Sequence, residues 1–451
     1  MCGYANVQMK KSVLYIFLAF VSTTSYCQKV NKAKLDSFLN SLDANNKLMG
    51  SVSVAKRGVI QYSKAIGYVS VEKKTKANVN TKYRIGSISK MFTAVMIMQL
   101  IEEKKLALNT RLSEFFPKIQ NADSITIERM LCHRSGIHNF TSDDEYVTWM
   151  IKPIPREKML ELLYKQDSDF EPGLKGRYSN TNFLLLGYII EKITGNKYDV
   201  ELLTRITSKI NLKNTYYGSK INISNNEALS YDSLPWKLQP ETDMSIPGGA
   251  GGIVSTPSDL TLFINALFTE KLVSATSLKT MMTLRDKYGL GIIKAPYRER
   301  ETYGHNGNID GFSSTLFYFP DDSVSFGICS NGENYFLNQT LVNVLDIYYN
   351  KEFKLPPFKT IKLDSAHMEK YEGIYVSGGL APTLRIMIED DHLVGQGTDQ
   401  DSFVLDVYSE TNMRNDKDGV AFVFTLPTEG SVQRIKLIES GKEYTYKRAK
   451  D

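Results

Sequence analysis

Gly86-Ser-Ile-Ser-Lys90 runs directly into Met91-Phe-Thr-Ala-Val-Met-Ile-Met-Gln-Leu-Ile101. Apolar residues fall on every side of a 3.6-residue turn here. The stretch from about residue 88 to 103 therefore reads as a helix without a polar face, which must be buried in the middle of a domain. A serine at its start and a lysine three residues on share one helix face. The serine oxygen meets the positive end of the helix dipole, and a lysine in a partly dry site tends towards a depressed pKa. Ser87 thus reads as a nucleophile and Lys90 as a proton acceptor or field source. The same serine–lysine spacing occurs at Ser53–Lys56 and Ser70–Lys73. The first lies in an alternating stretch, where i and i+3 point to opposite faces; the second is polar and expected to be exposed. The plainer alternative for Ser87 is an N-cap beside a surface lysine.

Upstream, an amphipathic helix near Val30 to Leu42 precedes Ser51 to Tyr62, whose alternating polarity around Arg57-Gly58 predicts a β-hairpin. Downstream, the pattern is helical to about residue 245, with turn signals at Glu171-Pro-Gly173 and Gly195-Asn196. Ile246-Pro-Gly-Gly-Ala-Gly-Gly252 then gives the backbone unusual freedom. Thr256-Pro-Ser-Asp259 is a capping box with Pro at the first helical position, opening a helix over Leu260 to Leu267. Strands are expected at Ser314 to Phe319 and Val324 to Cys329, then a helix over Gln339 to Tyr349. Strands at both ends with helices between predict an α/β (α+β) domain over 28–352, its antiparallel sheet assembled from distant segments and flanked by helices.

Lys354-Leu-Pro-Pro-Phe358 reads as a linker (353–358). Beyond it, 359–451 carries short alternating runs at Leu384 to Ile388, Phe403 to Tyr408, Ala421 to Leu426, Val432 to Ile438 and Tyr444 to Lys447, the pattern of a small all-β sandwich or barrel. Asp416-Lys-Asp-Gly419 resembles part of a calcium loop, but Arg414 and Thr425 stand at its first and twelfth ligand positions, so it reads as a plain turn.

Of 451 residues, 42% are hydrophobic and 23% charged, an ordinary globular balance. The 55 basic and 50 acidic residues are spread along the chain, without the dense basic run that a nucleic-acid footprint needs. Nucleotide-binding glycine motifs, HExxH and GxSxG are missing, which lowers the prior for nucleotide binding, zincin chemistry and an α/β-hydrolase elbow. Residues 1–27 behave as an export signal: Lys10 and Lys11, the apolar run Val13 to Val21, and Ser25 and Cys27 before Gln28. That run is short of the ~20 residues of a membrane span, and Tyr26 is bulky for a lipoprotein signal at Cys27. An exported protein, periplasmic or extracellular and with no stable membrane span, is expected. Cys132 and Cys329 are expected as buried free thiols.

Two further groups complete a candidate site. Tyr178-Ser-Asn180 lies between the Glu171 turn and an apolar helix, Phe183 to Ile193, ending at Gly195. A phenol there shuttles a proton if nearby cations lower its pKa, and an Asn amide holds a substrate carbonyl; the bland alternative is a core tyrosine and a helix cap. His305-Asn-Gly307, with glycines beside a strand, lets a ligand approach closely, and an imidazolium there attracts a carboxylate; a satisfied core histidine is the alternative. A metal site from Cys132, His133 and His138 has neither the helical spacing nor the carboxylate partners, so no metal or cofactor is expected.

In this order, Ser87-Ile-Ser-Lys90, Tyr178-Ser-Asn180 and His305-Asn-Gly307 resemble the three signatures of penicillin-recognising serine enzymes, the class C β-lactamase, D-Ala-D-Ala carboxypeptidase and esterase branch. Tyr83-Arg-Ile-Gly86, Leu131-Cys-His-Arg-Ser-Gly136, Gly251 to Leu260 and Gly304 to Ser313 are similar to supporting stretches of that family; the likeness covers roughly residues 38 to 350. It implies a β-lactamase/transpeptidase-like fold with a helical subdomain. It implies Ser87 as the acylated nucleophile, Lys90 and Tyr178 as proton-transfer partners, and Asn180 as a substrate-amide ligand. The N–H groups of Ser87 and Asn308 would form the oxyanion hole. His305 stands where the family often has Lys, and Gly307 follows the pattern. Asn306 departs from it, replacing a hydroxyl that holds a substrate carboxylate. The implied activity is an exported serine hydrolase acting through an acyl-enzyme on a lactam, a peptidoglycan-like D-amino-acid peptide or an ester. An esterase or amidase without lactamase activity, and a binding protein that keeps the shape, are the alternatives.

Overall fold

Along β1 (Leu48–Lys56), Val52 and Val54 face one way and Ser51 and Ser53 the other. The chain reverses through Arg57 and Gly58, both at positive φ, into β2 (Val59–Ile66). Two successive left-handed residues match the twist of the strands they join. This hairpin is completed by strands from far along the chain: β3 (Ile293–Tyr297), β4 (Arg300–Ile309), β5 (Phe312–Phe319) and β6 (Val324–Glu333). The resulting sheet is antiparallel in the order β3-β4-β5-β6-β1-β2. A computed structural model describes residues 30–232, 235–378, 382–439 and 442–449; the expected leader lies outside the described residues.

The framing helices are α1 (Lys32–Ala44), α2 (Ser89–Glu102), α3 (Asn180–Thr194), α4 (Pro257–Phe268) and α5 (Leu337–Tyr348). α1 and α5 cover one face of the sheet, packing Leu35, Phe38 and Val344 against Val52, Phe326 and Ile328. α2, α3 and α4 form a second core on the other face. Every residue of α2 from Ser89 to Leu100 is buried, as its all-round apolarity predicts. Phe92 of α2 stacks on Phe263 of α4 at 3.7 Å. α4 is held at its start by Thr256, whose hydroxyl accepts the Asp259 N–H at 3.2 Å. Within the stretch read as helical, Tyr216–Tyr217 is a short strand segment; with Tyr83–Arg84 it flanks Ile253–Ser255 in a small antiparallel sheet at the entry to α2. No helix among the described residues is long and apolar enough to cross a membrane.

The C-terminal part is a single antiparallel sheet. Its strands are β7 (Gly373–Ser377), β8 (Leu384–Glu389), β9 (His392–Gly397), β10 (Ser402–Val404), β11 (Asp406–Ser409), β12 (Asn412–Asn415), β13 (Val420–Thr425), β14 (Arg434–Glu439) and β15 (Lys442–Arg448). They are ordered β10-β9-β8-β7-β15-β14-β13-β12-β11. The stretch Phe403 to Tyr408, expected as one strand, is two. Leu405 carries the chain from one edge of the sheet to the other, so the sheet nearly closes on itself as a barrel around Tyr375, Met413, Phe422 and Ile435. Asp416 does sit in a turn, and is itself buried. Its carboxylate lies 2.7 Å from Lys47 at the start of the β1 segment, and its carbonyl accepts the Phe336 N–H at 2.7 Å. The barrel is thereby fastened to the mixed helix–sheet part, with Phe358 packed edge-on against Tyr335.

Candidate active site

Ser87 lies in the single turn of 3₁₀-helix, Gly86–Ile88, that leads into α2. A Cβ on Gly86, which has φ +49°, would stand 2.7–2.9 Å from backbone atoms of Asn308. A Cβ on Gly307 would stand 2.1 Å from the Ile85 carbonyl and 2.8 Å from Ser87 N. Glycine on both sides is what lets β4 run against the turn that carries Ser87. β3 pairs with β4 only up to Gly304, so beyond it that edge of β4 is open to the site. Ser314 of β5 fixes the contact by donating to the Ile85 carbonyl at 2.8 Å. The Ser87 N–H belongs to a first helical turn, where an amide has no intrahelical acceptor. Ser87, Asn180 and Asn308 line a cavity of about 180 Å³ together with Phe140, Tyr146 and Asp310.

Lys90 is fully buried, and its Nζ lies 2.7 Å from Asn180 Oδ1, 2.7 Å from the Ala250 carbonyl and 2.9 Å from Ser87 Oγ. Burial holds its pKa well below the ordinary value. A neutral amine has two N–H donors and one lone pair. As an ammonium, Lys90 donates to all three oxygens; once deprotonated it keeps its two donors for the oxygens that can only accept and turns its lone pair to the Ser87 hydroxyl. Ser87 Oγ in turn accepts from the Tyr178 hydroxyl at 2.7 Å. The Tyr178 phenol is not acidified by neighbouring cations, as the sequence suggested. Burial pushes it up, and the hydrogen bond with Ser87 opposes that shift, so it is a protonated donor.

Asn180 opens α3, anchored by its N–H to Asn139 Oδ1 at 2.8 Å and by Nδ2 to Thr141 Oγ1 at 2.9 Å. His305 lies within β4, not in a loop beside a strand. Its expected positive charge is absent: burial, with Lys90 nearby, lowers its pKa to about 4, and Nδ1 donates to the Asn306 carbonyl at 2.5 Å. Asn306 pairs with Thr315, which pairs in turn with Ile328, and strand alternation sends its side chain to the face opposite His305. The other serine–lysine pairs do not join the site. Ser53 is buried within β1, and Ser70, expected to be exposed, is buried with its hydroxyl donating to Glu72.

The Ala250 carbonyl went unread because a backbone oxygen has no sequence signature of its own; the signal lay in the glycine run. A Cβ on Gly249 would stand 2.7 Å from the Phe183 carbonyl and 3.0 Å from Thr93 Oγ1. Only glycine lets the short helix Gly248–Gly251 wedge between α2 and α3 and aim Ala250 at Lys90. The segment 133–141 was also undervalued. His138 is held between Asp169 and Asp143, each at 2.7 Å, and its carbonyl accepts from Thr181 Oγ1 at 2.6 Å. Cys132 and Cys329 are buried free thiols, and among the described residues no three His, Cys, Asp or Glu side chains are grouped to hold a metal ion.

The family model described as Beta-lactamase matches residues 38–343. Among curated proteins, a teichoic acid D-alanine hydrolase from Staphylococcus aureus (strain MRSA252) is 26% identical over 309 residues, covering 67% of this chain and 74% of that protein. Among solved structures, a D-amino acid amidase from Ochrobactrum anthropi SV3 complexed with D-phenylalanine superposes with a TM-score of 0.63 at 22% identity, covering 70% of this chain and 98% of its own. An octameric penicillin-binding protein homologue from Pyrococcus abyssi covers 92% of this chain and 100% of its own, with a TM-score of 0.65 and 23% identity. At these identities the superpositions establish the fold, and the second of them extends across both the helix–sheet part and the barrel.

Proposed function

The chain belongs to the beta-lactamase family, and on that premise we propose that it is a serine hydrolase cleaving a D-aminoacyl ester or amide through an acyl-enzyme on Ser87. The single observation that carries this reading is the convergence of Tyr178 Oη and Lys90 Nζ on Ser87 Oγ, at 2.7 and 2.9 Å. Lys90 takes the Ser87 proton as Oγ attacks the substrate carbonyl. The Ser87 and Asn308 N–H groups hold the developing oxyanion, each donor worth ~3 kcal/mol. Tyr178 gives its proton to the leaving oxygen or nitrogen as the acyl bond breaks, and the ammonium of Lys90 restores it. Water then attacks the ester on Ser87 with the same groups acting in reverse, releasing a carboxylic acid and free serine.

The choice of acyl group rests on charge. Burial lowers the Lys90 pKa well below its ordinary value and that of His305 to about 4, and Arg84 is engaged by Glu241 and Asp310. No free cation among the described residues faces a substrate carboxylate in this cavity, and Asn306 offers none of the hydroxyl chemistry expected of the family. That favours an aminoacyl group over penicillins and D-Ala-D-Ala peptides, which carry a carboxylate beside the scissile bond. The name of the curated relative points the same way. Export through the leader, with cleavage before Gln28, and the division of the chain at 353–358 belong to the same proposal.

The test is a panel on purified protein: D- and L-alanine methyl esters and amides, nitrocefin, and a D-Ala-D-Ala peptide, each with wild type and Ser87→Ala. The D-alanyl compounds should be hydrolysed best and Ser87→Ala should abolish turnover. Nitrocefin or the dipeptide as best substrate, or turnover that survives Ser87→Ala, contradicts the reading.

A further inference from the structure

We infer that His133 is the positioning residue for Tyr178, holding the phenol on the serine from three directions at once. The inference rests on the proton-donor role given to Tyr178 above. His133 follows the short helix Ile127–Leu131 and adopts φ +56°, a conformation that costs a non-glycine residue energy and persists only where surroundings impose it. Its carbonyl accepts the N–H of Arg177 at 2.9 Å, and its Nδ1 accepts the N–H of Ser179 at 3.2 Å. The residues on either side of Tyr178 are thus tied to one histidine. The imidazole ring lies against the Tyr178 ring, centroids 4.3 Å apart and planes 30° apart. Tyr288 and Phe183 pack on it from other sides, at 5.0 and 5.3 Å.

The tautomer follows from the hydrogen bond. Accepting from a backbone N–H requires an unprotonated Nδ1, so the ring proton is on Nε2 and the ring is neutral. Burial opposes charge on it, and any positive charge on Lys90 or His305 would oppose it further; Tyr178 and Tyr288 are the other titratable groups that face it. Protonating Nδ1 would set one N–H against another and open the clamp on Ser179.

Two properties can be separated by substitution. His133→Asn keeps a residue tolerant of positive φ and an acceptor at the δ1 position, but removes the ring; His133→Phe keeps a ring and removes the acceptor. With D-alanine methyl ester, whose leaving group needs a proton, His133→Asn should lower kcat roughly tenfold to a hundredfold with KM nearly unchanged. With D-alanine p-nitrophenyl ester, whose leaving group departs as an anion, it should leave the pre-steady-state rate of Ser87 acylation nearly unchanged, while the acylation rate with the methyl ester falls. In a Tyr178→Phe background the same substitution should cost nothing further, because a residue that acts only through the phenol has nothing left to position. An equal loss of acylation rate on both esters, an equal loss in the Tyr178→Phe background, or no loss at all would overturn the inference. Should the variants fail to fold, ¹⁵N-histidine NMR of the wild type decides: Nδ1 of His133 must be unprotonated and Nε2 protonated at neutral pH, and a protonated Nδ1 would refute it. Failure of the functional reading is distinguishable, because it shows as turnover that does not depend on Ser87.

Discussion

The carbonyl oxygen of Ala250 stands 2.7 Å from Lys90 Nζ, across the glycine-lined wall of the cavity at Ser87. That contact, with the one to Asn180 Oδ1, takes both donors of the amine in its deprotonated form, so that its lone pair then faces Ser87. Burial of the lysine favours that form by holding its pKa well below the ordinary value.

Lys90→Arg keeps a cation but cannot shed its proton, so it should lower kcat/KM on D-alanyl esters by ~10³, within the range of a lost general base. On the proposed mechanism, the active form of the wild type is the deprotonated amine. kcat/KM should therefore rise with pH through the lowered Lys90 pKa and level off well below 10.5. A rise that completes only near 10.5 would contradict a buried neutral lysine.

Gly307→Ala introduces a methyl group 2.1 Å from the Ile85 carbonyl, which β4 can relieve only by moving away from Ser87. Loss of the Asn308 N–H from the oxyanion hole should cost about 10²–10³ in kcat. The overall fold should be retained, as read by circular dichroism.

His138, a quarter exposed, bridges Asp169 and Asp143. Burial works against its charge, but hydrogen bonds to the two carboxylates prevail and raise its pKa. A base raised on folding contributes stability that is complete below its unfolded value near 6.5 and is lost as pH rises through the folded one. Replacing it by Gln should cost about 1 kcal/mol at pH 6, discounted for exposure, and less at pH 9. Urea unfolding at the two pH values checks the sign.

Much of this was legible in the chain because burial and spacing leave marks on sequence. α2 announces its place by having no polar face, and Ser87 and Lys90 share a turn whatever the rest does. Glycines at 86, 249 and 307 mark close approaches, although which backbone they meet is settled only in three dimensions. Charge states are less legible for the same reason. Tyr178 and His305 look like a tunable phenol and a cation, but their neighbours come from residues 87, 90, 133 and 288, and what those neighbours bring is dryness rather than countercharge. Phe403 to Tyr408 reads as one strand because alternation persists across Leu405, while closure of the sheet places its halves on opposite edges.

Asp416 and Lys47 join the barrel to the rest of the chain through side chains that are 3% and 10% exposed. Asp416→Ala leaves the Lys47 ammonium without its nearest carboxylate and should destabilise the contact by ~3 kcal/mol. Limited proteolysis should then cut within 353–363 faster than in the wild type, while hydrolysis by the catalytic part persists. Unchanged proteolysis would show that the ion pair does not hold the two parts together.

The most direct measurement is the mass of the protein quenched during turnover of a D-alanyl ester. The account predicts a D-alanyl adduct on the peptide that carries Ser87, formed by the wild type and missing from Ser87→Ala. An adduct on another residue, or turnover by the wild type in which no acyl intermediate forms under any quench, would contradict it.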